Sequence, residues 1–147
     1  MSSVEYEVFL SFRGPDTRQG LTDVLYEYMD TAGIRVFRDN DELAPGDKIT
    51  NIVPAIKNSE LCIPIFSKTF AVSSWCLREV ERMVELKKEI VPIFYQVSPD
   101  DVKLNTELFK KQLKEHEKKY GKGQLEKWEE ALRSIAKIKG REVMTTG

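Results

Sequence analysis

The chain has 147 residues, of which 41% are hydrophobic and 32% are charged. This composition is typical of one globular domain and excludes an intrinsically disordered chain. Because 23 Lys and Arg balance 24 Asp and Glu, the charge argues against nucleic acid as a partner. No apolar run approaches the ~20 residues of a membrane helix, so no membrane association is expected.

The cysteines and the single histidine exclude an ordinary metal site. Cys62 and Cys76 lie in apolar stretches, where free buried thiols are expected. Two Cys and one His cannot complete a zinc site, and no metal is predicted. The first residues lack the basic and apolar regions of a signal peptide, so a reducing intracellular compartment is expected.

Strand and helix patterns alternate along the chain. Apolar runs predict strands over 6–12, 34–37, 63–66 and 91–94, with a fifth strand available only at 142–145. Helical spacing of apolar residues predicts helices over 16–31, 48–58, 74–88, 106–120 and 124–139. Asp16 or Thr17 is expected to cap the first helix, and Pro64 and Pro92 are expected near strand starts.

This alternation predicts an α/β fold of flavodoxin-like type. We expect a doubly wound parallel sheet of four to five strands with helices on both faces. In such sheets, functional sites form outside the carboxyl ends of the strands. The segments predicted to lie there are 13–18, 38–47, 67–75 and 96–101.

A carboxylate and an aromatic ring are predicted to share a face of the helix over 74–88. Leu77, Val80 and Val84 form an apolar stripe that should contact the sheet. Glu79 lies opposite this stripe, and Trp75 precedes it by four residues. The two side chains are therefore expected to point together away from the core. The alternative is a solvated glutamate beside a half-buried tryptophan.

Arg13 and Arg18 flank a tight turn that leads into the first helix. Guanidinium groups and the free amides of a helix start suit a phosphate. The alternative is that both arginines stabilise the turn through ion pairs. The acidic segment 38–43 lacks the ligand spacing of a calcium loop, and His116 is expected to be a surface residue.

Four motifs in order resemble those of plant TIR (Toll/interleukin receptor-like) domains. They cover 6–18, 33–46, 67–79 and 92–99, and the resemblance extends over roughly 4–140. It implies the N-terminal domain of a TIR-type NLR immune receptor. The expected division is a tail at 1–4, the TIR domain at 5–140, and a tail or start of a linker at 141–147.

The resemblance also implies an enzyme. Such domains cleave NAD between nicotinamide and ribose, and the family's catalytic glutamate matches Glu79. Ser73 and Trp75 match pocket positions, and Arg13 and Arg18 match phosphate-side or loop-organising arginines. NAD is then the substrate, and no prosthetic group is expected. The products would be nicotinamide and ADP-ribose or variant nucleotides that trigger defence and cell death.

Self-association is the other implication of the resemblance. The site is expected to be completed between copies of the chain, or with other TIR domains. The BB-loop, which is the part of the 33–46 motif that follows the second strand, is expected to move on assembly. Its matching residues are Asp41, Glu42 and Gly46. A second contact would pair the first helix with the last, and Thr22 and Asp23 stand where many relatives carry Ser-His. The cytoplasm is the expected compartment, with the nucleus as a second.

Two other functions compete with this interpretation. A TIR adaptor that associates without cleaving NAD is the alternative favoured by the altered first-helix pair and by a BB-loop without arginine. A phospho-acceptor receiver domain needs acidic residues after the first strand and an aspartate after the third. Those positions hold Arg13 and Ser67, which excludes a receiver domain.

Overall fold

The computed structural model describes residues 6–38 and 52–144, apart from the side chains of Arg18 and Gln19. The strands are β1 (Tyr6–Phe12), β2 (Val36–Arg38), β3 (Ser59–Phe66), β4 (Glu89–Ile90), β5 (Ile93–Tyr95) and β6 (Arg141–Val143). The helices are α1 (Gly14–Thr17), α2 (Asp23–Thr31), α3 (52–57), α4 (Ser74–Glu85), α5 (Pro99–Val102), α6 (Glu107–Lys114) and α7 (Glu117–Ala136).

All strand pairs are parallel, in the order β2-β1-β3-β5-β6, and β4 also pairs with β3. Cys62 lies opposite Ile90, and Ile65 lies opposite Ile93. Because this offset is constant, β4 and β5 are two halves of one strand interrupted at 91–92. Counted once, that strand completes the flavodoxin-like order 2-1-3-4-5. The predicted fold class is confirmed.

The interruption explains how a central strand accommodates proline. At the shared offset, Pro64 lies opposite Pro92, and neither residue has an amide to donate. Pro92 directly precedes β5, as expected for a proline at a strand start. The same prediction is wrong for Pro64, which lies inside β3. Its missing hydrogen bond falls where the neighbouring strand is broken.

Alternation along β1 separates two apolar clusters. Val8, Leu10 and Phe12 pack with the first helical segment on one face of the sheet. Phe9 packs on the other face with buried residues of α4 and α7. Side chains two residues apart in a strand share a face, so Ser11 points to the side of Phe9. This geometry directs the Ser11 hydroxyl towards α4.

The first helix starts earlier than predicted and is not uniform. α1 begins at Gly14, and a π-helical turn at Arg18–Thr22 joins it to α2. Neither predicted cap acts as one, because both side chains have other partners. Asp16 accepts hydrogen bonds from the segment after β3, and the Thr17 hydroxyl donates to the Arg13 carbonyl at 3.2 Å.

The two predicted C-terminal helices are three helical stretches, because a turn at 115–116 divides the first of them. α6 ends at Lys114, and α7 already begins at Glu117. The stretch predicted as the gap between the helices lies inside α7. There Gly121 has a φ of 81°, a left-handed conformation that favours glycine. The glycine therefore interrupts the helical backbone between two helical stretches, 117–120 and 122–136, so the predicted break is present here as a kink.

β6 closes the sheet at the edge next to β5. It overlaps the segment 142–145 that could supply a fifth strand, and it includes three residues assigned to a C-terminal tail. The chain enters β6 through Gly140, where a Cβ atom would lie 2.2 Å from the Pro92 carbonyl oxygen. That carbonyl accepts a hydrogen bond from the Arg141 amide at 3.1 Å. The close approach requires glycine at this position.

Candidate functional site

A cavity of about 280 Å³ lies outside the carboxyl ends of β1, β3 and β5. It adjoins the place between β1 and β3 where the strand order reverses, which is the usual ligand position in such sheets. Residues from three of the four predicted segments line it. They are Pro15, Asp16, Ser67, Lys68 and Gln96, and Tyr95 at the end of β5 completes the lining.

Asp16 joins two of these segments through one carboxylate oxygen. Its Oδ2 accepts hydrogen bonds from the Ser67 hydroxyl at 2.6 Å and from the Thr69 hydroxyl at 2.7 Å. The Thr69 amide donates to the same oxygen at 2.8 Å. Asp16 therefore holds the turn after β1 against the turn after β3. Sequence reasoning treated this residue only as a helix cap.

The Glu79 carboxylate is buried beneath the end of β1. Glu79 is 1% exposed, and the Ser11 hydroxyl donates to its Oε1 at 2.6 Å. The prediction that Glu79 points away from the core is therefore wrong. Val84 is only half-buried, whereas Cys76 and Met83 are fully buried. The covered face of α4 thus includes Glu79, because Ser11 supplies a polar partner there.

Ser73 is the N-cap of α4 and Trp75 lies in its first turn, one helical turn before Glu79. The Ser73 hydroxyl caps the helix by accepting a hydrogen bond from the Cys76 amide at 3.1 Å. Trp75 is half-buried and lines a groove of about 350 Å³ between α3, α4 and α7. The other side chains of this groove include Arg78, Arg82, Gln124 and Lys127.

Arg13 occupies the position predicted at the end of β1. Its side chain is half-buried, and its carbonyl accepts hydrogen bonds from the amides of the following turn. The side chain of Arg18 lies outside the described residues. So do the BB-loop positions Asp41, Glu42 and Gly46. The binding and loop roles of these residues stay predictions.

The two residues predicted for self-association differ in exposure. Thr22 is buried, and its hydroxyl donates to the Thr17 hydroxyl at 2.7 Å. Asp23 is half-buried and accepts a hydrogen bond from Arg38 at 2.7 Å. The Arg38 guanidinium also lies 4.1 Å from the centre of the Tyr26 ring. Of the predicted pair, Asp23 alone presents its side chain at the surface in this conformation.

α2 carries an exposed apolar strip beside Asp23. Val24 is 64% exposed and Tyr28 is 78% exposed. One turn of helix separates them, so they share a face. Together with Thr31 they border a shallow depression of about 530 Å³. Exposed apolar residues grouped in this way are typical of an interaction surface.

A polar and aromatic cluster joins α7 to α4, and sequence reasoning missed it. His116, predicted as a surface residue and not a ligand, is half-buried, and its Nε2 lies 2.9 Å from the Ala71 carbonyl oxygen. The Trp128 indole donates to Glu81 at 3.0 Å, and the Tyr120 hydroxyl donates to Ser74 at 3.1 Å. His116 and Tyr120 are four residues apart, whereas Trp128 lies beyond the kink at Gly121, so no single helical spacing marks the three.

The Tyr120 phenol is electrostatically perturbed. The hydrogen bond to Ser74 is the largest influence, and the charges of Lys119 and Arg78 add to it. Together they outweigh burial and lower the pKa of Tyr120. The Arg78 guanidinium lies 5.5 Å from the centre of the ring. This environment stabilises the packing of α7 on the first turns of α4.

The cysteines are structural. Both are free and buried, as predicted. Burial raises the pKa of the Cys62 thiol to about 12, which makes it a poor nucleophile.

Over residues 6–38 and 52–144, no group of three His, Cys, Asp or Glu side chains could hold a metal ion. No helix in the same ranges is long and apolar enough to cross a bilayer.

Comparison with known proteins identifies the fold's relatives. A family model described as TIR domain matches residues 5–146. The chain is 40% identical over 142 residues to TMV resistance protein N of Nicotiana glutinosa, covering 92% of this chain and 12% of that protein. It is 41% identical over 100 residues to the probable 2' cyclic ADP-D-ribose synthase BdTIR of Brachypodium distachyon, covering 67% of this chain and 45% of that protein.

A solved structure agrees with the sequence relatives. The TIR domains of the activated Roq1 resistosome superimpose with a TM-score of 0.82 at 33% identity. The match covers 94% of this chain and 87% of that one. That resistosome directly recognises the pathogen effector XopQ. The chain spans less than half of the full length of each curated relative, TMV resistance protein N and BdTIR.

Proposed function

The chain belongs to the TIR domain family, and on that premise we propose that it is an assembly-dependent NAD glycohydrolase acting in the cytoplasm as the signalling domain of a plant immune receptor. The observation that carries this proposal is the buried carboxylate of Glu79, hydrogen-bonded to Ser11 beside the carboxyl end of β1. The family relationship and the name of the relative BdTIR support it.

The chemistry needs one oriented carboxylate. Cleavage breaks the bond between nicotinamide and ribose, and the bonding electron pair leaves with the neutral nicotinamide. Positive charge then develops on the ribose, and the Glu79 carboxylate stabilises it. Water supplies the hydroxyl of ADP-ribose and releases a proton. Attack by a hydroxyl of the same molecule would give a cyclic ADP-ribose instead, in line with the name of BdTIR.

The groove beside Trp75 suits the remainder of NAD. The half-buried indole offers a flat surface for adenine, and Arg78 and Arg82 project into the same groove. Guanidinium groups bind diphosphates well. Arg13, Arg18 and Ser73 are proposed to complete binding nearer the reacting ribose. No prosthetic group is required by this scheme.

Burial of Glu79 fits a need for assembly. A carboxylate that is 1% exposed contacts substrate only after the side chains that cover it move. We assign that opening to association of copies, with movement of the BB-loop at Asp41, Glu42 and Gly46. Asp23 and the exposed strip of Val24 and Tyr28 would supply part of the contact. A lone chain is then inactive, and a crowded one is active.

NAD consumption by the purified chain tests the proposal. At high concentration with a crowding agent, the parent should release nicotinamide, measured by chromatography. Glu79→Gln should reduce the rate on the order of 10²-fold or more, because the uncharged amide stabilises the ribose cation poorly. Glu60→Gln is the control, since Glu60 is exposed on β3. Equal release by Glu79→Gln and the parent would remove Glu79 from the mechanism.

A non-catalytic adaptor is the second candidate. The observation that favours it is the exposed apolar strip of Val24 and Tyr28, which serves association whether or not NAD is cleaved. In this case the parent would assemble under crowding, as judged by light scattering, without releasing nicotinamide. Assembly combined with nicotinamide release would instead exclude the adaptor function.

A further inference from the structure

We propose that Ser11 is a positioning residue that orients the Glu79 carboxylate and maintains its charge. The inference rests on the proposed NAD cleavage, which it deepens. Ser11 is fully buried, so it acts through Glu79 and not by contact with substrate. Sequence reasoning placed Ser11 in a motif and gave it no role.

The contact between the two side chains has the geometry of a charge-assisted hydrogen bond. The Ser11 hydroxyl oxygen lies 2.6 Å from Glu79 Oε1. Distances of about 2.5 to 2.7 Å are typical of a hydroxyl that donates to an ionised carboxylate. The bond joins residues 68 positions apart, so it forms only when β1 and α4 have packed together.

Both ends of this hydrogen bond lie on rigid elements. Ser11 lies in β1, where it is opposite Pro64 in the central strand β3. Glu79 lies in α4, which a second contact ties to the same strand β1. The Cys76 thiol donates to the Phe12 carbonyl at 3.4 Å. Because neither backbone can shift easily, the hydroxyl selects one rotamer of the glutamate.

Loss of the hydroxyl would affect catalysis in two ways. A buried carboxylate that loses a hydrogen-bond donor is more easily protonated, and only the charged form stabilises the ribose cation. The side chain would also sample other rotamers, which reduces the fraction of correctly placed carboxylate. Both effects lower kcat. The affinity for NAD should be nearly unchanged, because the Ser11 side chain is fully buried and does not contact the substrate.

Four variants separate this role from simple space filling. Ser11→Ala removes the donor. Ser11→Thr and Ser11→Val introduce side chains of nearly the same shape as each other, and only the threonine keeps a hydroxyl. Ser59→Ala is the matched control, because Ser59 is a buried serine whose hydroxyl donates to the Ala55 carbonyl at 2.7 Å. It begins β3, away from the carboxyl ends of the strands.

The measurements are kcat and KM for NAD across pH, with carboxyl-carbon NMR titration of Glu79 in the folded chain. Ser11→Ala and Ser11→Val should lower kcat about 10-fold to 100-fold, with KM within about twofold. The acidic limb of the rate profile and the Glu79 titration should move to higher pH, because a hydrogen bond to the charged form is lost. Ser11→Thr should retain most of the activity, and Ser59→Ala should match the parent.

Different outcomes overturn different parts. Normal kcat and an unmoved titration in Ser11→Ala, with Glu79→Gln inactive, would reject the positioning role and leave NAD cleavage intact. Equal losses in Ser11→Thr and Ser11→Val would show that shape alone matters, which also rejects it. A parent chain that releases no nicotinamide when assembled would reject both proposals together.

Discussion

Single carboxylates hold loops together around the site. Asp16 joins the turns after β1 and β3. Asp101 does the same between α5 and α6: its oxygens accept hydrogen bonds from the Ser98 amide at 2.8 Å and from the Thr106 hydroxyl at 2.7 Å. The Ser98 hydroxyl in turn accepts from the Asp101 amide, which completes a capping box.

The charge of Asp101 should make this part of the fold sensitive to acid. Burial raises the pKa of the Asp101 carboxyl, but hydrogen bonds from Ser98 and Thr106 outweigh it, and the pKa is lowered. A carboxyl whose pKa is lower in the folded state contributes stability above its unfolded pKa of about 4. That contribution disappears as pH falls through the folded value.

Asp101→Asn should therefore lower the free energy of unfolding by about 1 kcal/mol at pH 7, with the deficit shrinking as pH falls below about 4. Urea unfolding at several pH values measures the deficit at pH 7 and its decrease at acidic pH. Asp100→Asn is the neighbouring control, since Asp100 is exposed and bonds only Asn105 among the described contacts. A deficit that is equal at pH 3 and pH 7 would contradict the assigned role of the charge.

At the scale of elements, α7 holds α4 in place. Glu81 accepts hydrogen bonds from both Gln124 and Trp128 of α7 at 3.0 Å, while Ser74 accepts one from Tyr120. The opposite side of α4 meets β1 through Glu79 and Cys76. The helix that carries the proposed catalytic residue is thus fixed on two sides. A fixed helix is what an oriented carboxylate requires.

The entry into β6 offers a test of packing. Gly140→Ala should lower the free energy of unfolding by about 2 kcal/mol, because the new Cβ would overlap the Pro92 carbonyl. Gly123→Ala provides a control of opposite sign. Gly123 lies in α7 with open space around it, so alanine should stabilise the helix by about 0.5–1 kcal/mol. Thermal unfolding of both variants measures these changes in stability. A Gly140→Ala variant that is as stable as the parent would contradict the close contact.

At the scale of the whole molecule, association and catalysis are expected to be linked. The strip of Val24 and Tyr28 is exposed on α2, and the Glu79 carboxylate is buried in the same conformation. If contact between copies opens the site, weakening the contact must lower the rate at a given concentration. Forced assembly must restore it.

Tyr28→Ala should weaken self-association about 10-fold, since exposed tyrosines commonly dominate interface energies. Sedimentation velocity over a range of concentrations measures this. NAD cleavage should fall in parallel in dilute solution and recover when the chain is fused to an oligomerising domain. Met144→Ala is the control, because Met144 is 65% exposed outside the strip. Cleavage by Tyr28→Ala that stays low after fusion would place Tyr28 in the fold or site instead.

Much of the architecture follows from the sequence alone. The alternation of apolar strands and amphipathic helices, together with the ordered motifs around Arg13, Trp75 and Pro92, predicted the parallel sheet and the family. These features are local, because the period of the apolar residues depends on each element's own geometry. The segments expected at the carboxyl ends of β1, β3 and β5 do line one cavity.

Tertiary structure decided which faces of those elements are buried. Glu79 and Ser11 meet across 68 positions, and a helical wheel of α4 cannot show that its polar glutamate finds a hydroxyl on the sheet. His116 likewise becomes half-buried only because α7 packs on the segment before α4. Pairings of this kind depend on how distant elements dock. Periodicity reports only that each element has an apolar face.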